Sequence, residues 1–256
     1  MTKFALWGDA DAPLFGGWVQ LGPESAGVMA SAGFDWIALD AQHGLFDMAG
    51  ILRALQTLQG ADVFVRVPSN DPVWIGRVLD AGALGVIVPL VDTTEDARRA
   101  VEASRYPPDG GRSWGQFGRL WGGAEVPPET ANRRVVCAVM IETAEGLANV
   151  DAIAAVPGVD MIFVGPFDLS LALGSTVPDT LKAGPNGPLG VIARACHSAA
   201  VVPGAFAGVP ERAGIFMACG FRAIAVATDA GLIRAGAPAA RAIAESHAGA
   251  TSHETR

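Results

Sequence analysis

Five side chains have types and spacings that suit chemistry. Glu142 in the segment MIETAEG and Asp168 in FVGPFDLS are carboxylates on short stems. A hard cation such as Mg²⁺ commonly takes one or two protein carboxylates and leaves positions for substrate and water. Neither position has a His or Cys partner, so zinc is the less natural ion. His43 in LDAQHG is a proton-transfer candidate, because histidine exchanges its proton near neutral pH. Asp40, three residues earlier, would orient the imidazole if this loop turned back. Arg66 in VFVRVP interrupts an apolar run, and a fixed guanidinium grips a carboxylate or an enolate oxygen.

Each of these has a structural reading beside the functional one. The carboxylates would serve equally as helix caps or partners of arginine. His43 would serve as a surface or capping residue, and Arg66 as half of a salt bridge inside a core. Gly165, Pro166 and Phe167 form a turn before Asp168, whose backbone N–H groups would bind a carboxylate if a helix began at Phe167 or Asp168. Trp18 fits a pocket wall or core packing. Trp114 and Trp121, with Arg112 and Arg119, lie in a glycine-rich stretch suited to a lid, an oligomer contact or anion binding. His197, His247 and His253 fall in an outer helix and near the tail and carry no expected role.

The elements that must position these groups alternate eight times. Apolar runs predict strands at 14–21, 34–40, 62–67, 85–91, 133–142, 159–165, 201–207 and 221–229. Helical periodicity and caps predict helices near 23–33, 48–58, 71–82, 94–106, 144–156, 189–199, 210–220 and 237–248. The stretch 170–188 is rich in turn formers and predicts a loop or short helix. Strands apolar on both faces belong in a parallel sheet covered by helices. Eight such units predict an α/β TIM (β/α)8 barrel in a single domain over 1–256, with 14–248 as its core and 249–256 as a polar tail. An open doubly wound sheet competes, but no GxGxxG motif sits where that fold needs it. In a barrel, residues just past the strand C-termini converge on one mouth, and the five side chains occupy such positions.

Composition narrows the function classes. The chain has 256 residues, 50% of them hydrophobic, enough for one large core. Its 18 Lys and Arg against 26 Asp and Glu give a formal charge of -8, which argues against nonspecific nucleic-acid binding. No apolar run is long enough for a membrane span, and the N-terminus lacks the pattern of a signal peptide. Three cysteines without CxxC spacing fit reduced thiols and a cytoplasmic location.

The segments GFDWIALDAQHG, VRVPSNDP, LDAGALGVIVPLV, SRYPPDGGR, IETAEGLANVDAI and GVDMIFVGPFDLS together resemble the HpcH/HpaI class II aldolases, and within them 2-keto-3-deoxy sugar-acid aldolases and 4-hydroxy-2-oxoheptanedioate aldolase. The resemblance spans 14–244. It implies a TIM barrel, and reversible aldol chemistry joining pyruvate or a related 2-keto acid to an aldehyde. It also implies Mg²⁺ or Mn²⁺, with Co²⁺ a further divalent candidate, and a homo-oligomer, a hexamer built as a trimer of dimers with exchanged terminal helices. By resemblance, Glu142 and Asp168 hold the metal, Arg66 binds pyruvate, and His43 with Asp40 forms the catalytic loop. Gly165, Pro166 and Phe167 match the turn before the metal aspartate. Three positions depart from the pattern. The loop reads Asp40-Ala41-Gln42-His43 where DGEH is usual, Met140 replaces a glutamine, and Phe167 replaces a small residue. A citrate-lyase-type or malyl-CoA-type thioester lyase and a noncatalytic oligomeric barrel are the alternatives.

Overall fold

Alternation along short, doubly covered strands decides the architecture. The computed structural model describes residues 12–58, 60–117, 120 and 124–251, with only the backbone for 248–251. The strands are β1 (Leu14–Val19), β2 (Trp36–Asp40), β3 (Val63–Arg66), β4 (Gly85–Val88), β5 (Val136–Ile141), β6 (Met161–Val164), β7 (Val202–Phe206) and β8 (Ala223–Thr228). They pair in chain order, all parallel, and β8 returns to β1 to close the barrel. This is a TIM (β/α)8 barrel. Successive residues point to opposite faces. Trp18, Trp36, Phe64, Met140 and Phe163 therefore fill the interior, while Ile37, Leu39, Val65, Val139 and Ile162 pack outward with the helices.

The helices are α1 (Pro23–Ser31), α2 (Met48–Thr57), α3 (Pro72–Asp80), α4 (Thr94–Ser104), α5 (Pro128–Arg134), α6 (Ala144–Ala148), α7 (Val150–Ala154), α8 (Pro166–Ala172), α9 (Val177–Lys182), α10 (Pro188–Ala199), α11 (Ala213–Ala218) and α12 (Asp229–Thr251). Their starts follow capping chemistry. Asp47 accepts from the Gly50 N–H, Asp71 from Val73, and Thr93 with Asp96 makes a capping box. Each capped residue follows a strand and loop, so the caps set where the chain turns back along the barrel. Among the described residues no helix is long and apolar enough to cross a membrane. Cys137, Cys196 and Cys219 are buried and unpaired.

Several expected boundaries move. The helix expected over 144–156 divides at Asn149, whose side-chain amide donates to the Asp92 carbonyl at 2.8 Å. The start of the strand expected from Arg133 is helical, because Pro127 and Pro128 open α5 there. The turn-rich stretch 170–188 holds the end of α8, all of α9 and a 3-10 turn at Gly184–Asn186. The last helix begins at Asp229 rather than Ala237 and runs to Thr251, through Pro238 and into the expected tail. Its start is held by Thr228 Oγ1, which accepts from the Gly231 N–H, so two early glycines do not prevent helix there. Arg119 and Trp121 lie outside the described residues, as does His253.

Large interior rings demand small neighbours. A Cβ on Gly16 would run into the Trp36 ring, and Trp36 is 2% exposed. Gly16→Ala should therefore destabilise the barrel by about 1–3 kcal/mol through overpacking. Denaturant unfolding measures this, and an unchanged midpoint would show that Trp36 has room to shift.

Candidate active site

Strand alternation also lifts a set of polar side chains to the mouth. Asp40 lies two residues beyond the interior Ala38, Arg66 two beyond Phe64, Glu142 two beyond Met140, and Gly165 two beyond Phe163. These are the next inward positions at the C-terminal end of β2, β3, β5 and β6, where the barrel core stops and loops begin.

Asp40 is fully buried and accepts five hydrogen bonds. Oδ1 accepts from Arg66 Nε at 2.9 Å and from the backbone N–H groups of Gln42 and His43, both at 3.1 Å. Oδ2 accepts from Arg66 Nη2 at 2.6 Å and Trp18 Nε1 at 3.1 Å. Asp40 and Arg66 are register partners on β2 and β3, which makes the two-pronged pair geometrically natural. Burial opposes the charge on Asp40, but the Arg66 bonds and charge, with the His43 and Trp18 donors, outweigh it and hold the carboxyl below its usual range. The Arg66 guanidinium also stacks 5.1 Å above the Trp18 ring. One edge of Arg66 is thus committed to Asp40, and Nη1 makes no hydrogen bond among the described residues.

This arrangement corrects one expectation. Asp40 does not hold the His43 imidazole; it holds the His43 backbone, and the exposed ring makes no hydrogen bond among the described residues. A carboxylate at the end of β2 reaches the following loop through its nearest N–H groups, before a side chain three residues on can fold back. Trp18, considered for a substrate wall, is 1% exposed and lies beneath Arg66 as packing.

Glu142 is 3% exposed. Its Oε1 accepts the Leu90 N–H at 2.9 Å. Leu90 has φ 55, a left-handed conformation that costs a branched residue about 1–3 kcal/mol and that aims this N–H at the carboxylate. Burial raises the Glu142 pKa; Leu90 opposes this, the nearby Asp168 charge adds to it, and Arg66 lowers it. Asp168 sits exposed in the first turn of α8, which begins at Pro166 directly after β6. Gly165 joins them; a Cβ there would stand 2.6 Å from Glu142 Oε2 and 3.1 Å from Met140 Cε, so a larger residue would displace the ends of these two side chains. Pro166 is buried, whereas Phe167 is 46% exposed at the rim. Two carboxylates whose like charges repel, one buried and one exposed, suit a divalent cation shared with water and substrate. No cluster of three or more His, Cys, Asp or Glu ligands occurs among the described residues.

A model of the HpcH/HpaI aldolase/citrate lyase family matches residues 18–235. The chain belongs to the HpcH/HpaI family. It is 38% identical to 2-dehydro-3,6-dideoxy-6-sulfogluconate aldolase of Pseudomonas putida, over 85% of this chain and 87% of that protein. It is also 38% identical to 5-keto-4-deoxy-D-glucarate aldolase of Shigella dysenteriae serotype 1, over 83% and 84%. The structure resembles an HpcH/HpaI family protein from Burkholderia cenocepacia J2315, with TM-score 0.85 and 33% identity over 95% of this chain and 99% of that one.

Against the family pattern, Met140 is buried in the barrel under Gly165, and the buried Gln42 Oε1 has no hydrogen-bond partner among the described residues. Sequence reasoning missed Asp229. Its buried carboxylate accepts from the Gln20 and Leu21 N–H groups and from Ser25 Oγ at 2.6 Å, tying the β1 loop to the start of α12. A charge at the very end of the apolar run AIAVATD was the available signal. Arg112, considered for anion binding, is consumed elsewhere: it pairs with Asp80 at 2.6 Å and stacks on Tyr106.

The Asp40–Arg66 pair sets an acid-side dependence. A carboxyl whose pKa is lowered by folding stabilises above the ordinary value, near 4, and loses that contribution as pH falls through the lowered native value. Asp40→Asn should cost about 3–5 kcal/mol at neutral pH, because Arg66 loses its buried partner. It should also flatten the decline below about pH 4. Unfolding curves of both proteins at pH 7 and through the acid range test this; parallel acid slopes would assign the decline to other carboxylates.

Proposed function

We propose that the chain is a divalent-metal-dependent class II aldolase, a carbon–carbon lyase acting on 4-hydroxy-2-oxo acids of the sugar-acid type. It releases pyruvate, or a related 2-keto acid, and an aldehyde, and runs in both directions. The observation that carries this reading is the meeting of Glu142 and Asp168 with an arginine locked by Asp40 at the mouth of a barrel of this family.

Glu142 and Asp168 would hold the cation, Mg²⁺ or Mn²⁺, with Co²⁺ a third candidate. When bound, it supplies Lewis acidity to the 2-keto oxygen. Arg66 faces the same oxygen with the nitrogen that Asp40 leaves free and offsets negative charge gathering there. Its stack on Trp18 and its grip on Asp40 prevent the guanidinium from following a departing product. The turn at Gly165, Pro166 and Phe167 brings backbone toward the donor carboxylate. In cleavage, His43 takes the proton of the 4-hydroxyl as the C3–C4 bond breaks and the aldehyde carbonyl forms. The bonding electrons pass to the C3 enolate, and the His43 imidazolium returns a proton to C3, directly or through water, to give the methyl group of pyruvate. An exposed imidazole on a backbone-anchored loop can reach this proton and exchange it with water.

Glu142→Gln and Asp168→Asn should each weaken Mg²⁺ and Mn²⁺ binding to the folded protein, read by calorimetric titration; unchanged affinity in both would reject this ligand pair. His43→Ala should retain ion binding but slow exchange of pyruvate methyl protons with solvent by about 10²–10⁴. Arg66→Lys, which keeps charge but loses the planar fork, should impair pyruvate binding as well. NMR of pyruvate without aldehyde or coenzyme A reads both, and normal exchange in the His43 variant would remove it from the proton path.

We further propose a homo-oligomer, a hexamer by family resemblance. Leu232, Ile233 and Ile243 of α12 are 47%, 59% and 61% exposed on the isolated chain, and a second copy would cover them. Light scattering at micromolar concentration should find the oligomer, and a monomer throughout would overturn it.

A further inference from the structure

The rim beyond β6 and β7 carries a second arginine that the reaction scheme does not use. Arg212 closes the 3-10 turn Pro210–Arg212 that follows β7. Its guanidinium lies 5.2 Å from the centre of the Phe167 ring. One nitrogen, Nη1, donates to the Ala207 carbonyl at 3.2 Å. Arg66, Arg105 and Arg112 are buried and each faces a carboxylate. Arg212 is half-buried and faces none among the described residues.

Its place relative to the donor end is traced by a chain of edge-on and tilted ring contacts. Arg66 lies 5.1 Å from the Trp18 ring, Trp18 5.1 Å from Phe206, Phe206 6.2 Å from Phe167, and Phe167 carries Arg212. The two guanidinium groups therefore bracket one aromatic wall that runs from the barrel centre to the rim. Phe167 is also the residue immediately before Asp168 in the first turn of α8. A 2-keto acid held at Arg66 must extend its aldehyde half outward from that centre. With its Cζ over the Phe167 ring and only Nη1 bonded to backbone among the described residues, the guanidinium keeps N–H donors for a carboxylate or sulfonate.

We propose that Arg212, set on Phe167, binds an anionic group on the aldehyde half and so selects substrates with an anion at each end. This rests on the aldolase reading above and adds the acceptor's chemical class. A carboxylate and a sulfonate offer the same oxygens to this fork, and the test separates them.

The assay condenses pyruvate with glyceraldehyde, 2-hydroxy-3-oxopropanoate or 2-hydroxy-3-oxopropane-1-sulfonate, using the metal-loaded full chain. The wild type should favour at least one anionic aldehyde over glyceraldehyde in kcat/KM, and whichever is favoured identifies the anion. Arg212→Gln should collapse that ratio by about 10-fold to 100-fold, the usual worth of a hydrogen bond to a charged group. Arg212→Lys should retain part of it. Phe167→Ala, which removes the platform but keeps the charge, should lower the ratio less than Arg212→Gln, giving a second variant should Arg212→Gln fold poorly. No anionic preference in the wild type, or an unchanged ratio in Arg212→Gln, would overturn the proposal while pyruvate proton exchange upholds the aldolase. Absence of that exchange in the wild type would overturn both.

Discussion

The buried Asp40 carboxylate is the constraint on which the mouth of this barrel depends. A charge removed from water must find opposite charge and hydrogen-bond donors or it becomes neutral. Asp40 finds five donors, and they come from β1, from β3 and from its own loop. Satisfying one carboxylate thus fixes the indole of Trp18, the plane of Arg66 and the path of the backbone at His43. None of these three positions is set by hydrophobic packing alone. The β2 loop is further pressed against the β1 loop by the Leu45 N–H, which donates to Gln20 at 2.7 Å, and Asp229 secures the other side of that loop.

The second half of the site is organised by scarcity of space. Glu142 accepts the N–H of Leu90, which stands in a left-handed conformation, and its carboxylate lies close against Gly165, where a Cβ would displace it. Burial and the Asp168 charge both oppose its ionisation. A cation held by the two carboxylates, as proposed above, would reverse that opposition. The barrel core supplies rigidity for this, because Met140 and Phe163 pack directly below.

Rigid strands and variable rim loops divide the labour. The carboxylates, Arg66 and Gly165 stand at or just past strand ends, where register fixes them within the closed sheet. Phe167 and Arg212 stand on turns beyond the strands and contact each other through a ring face. The common chemistry of a family can reside at the first set while the second changes from one member to another.

The sequence by itself determined the eight-fold alternation, the helix cap at Asp71, a helix start at Thr93 or Thr94, and the chemical kinds of residue at the mouth. These are local properties: periodicity, capping and side-chain type act within a few residues. It also made legible Gly165 as a turn and Asp168 at the start of a helix. The ordered motifs, taken together, carried the family. Tertiary structure decided how the groups were shared. Asp40 was spent on Arg66, Trp18 and backbone rather than on the His43 ring, because register across β2 and β3 put a guanidinium closer than the loop could bring an imidazole. Trp18 became a support, since inward alternation buried it beneath Arg66. Arg112 was taken by Asp80, and Arg212, inconspicuous in the chain, acquired a place beside Phe167. Such partnerships join residues far apart in the sequence, and only closure of the barrel brings them within hydrogen-bond or stacking distance.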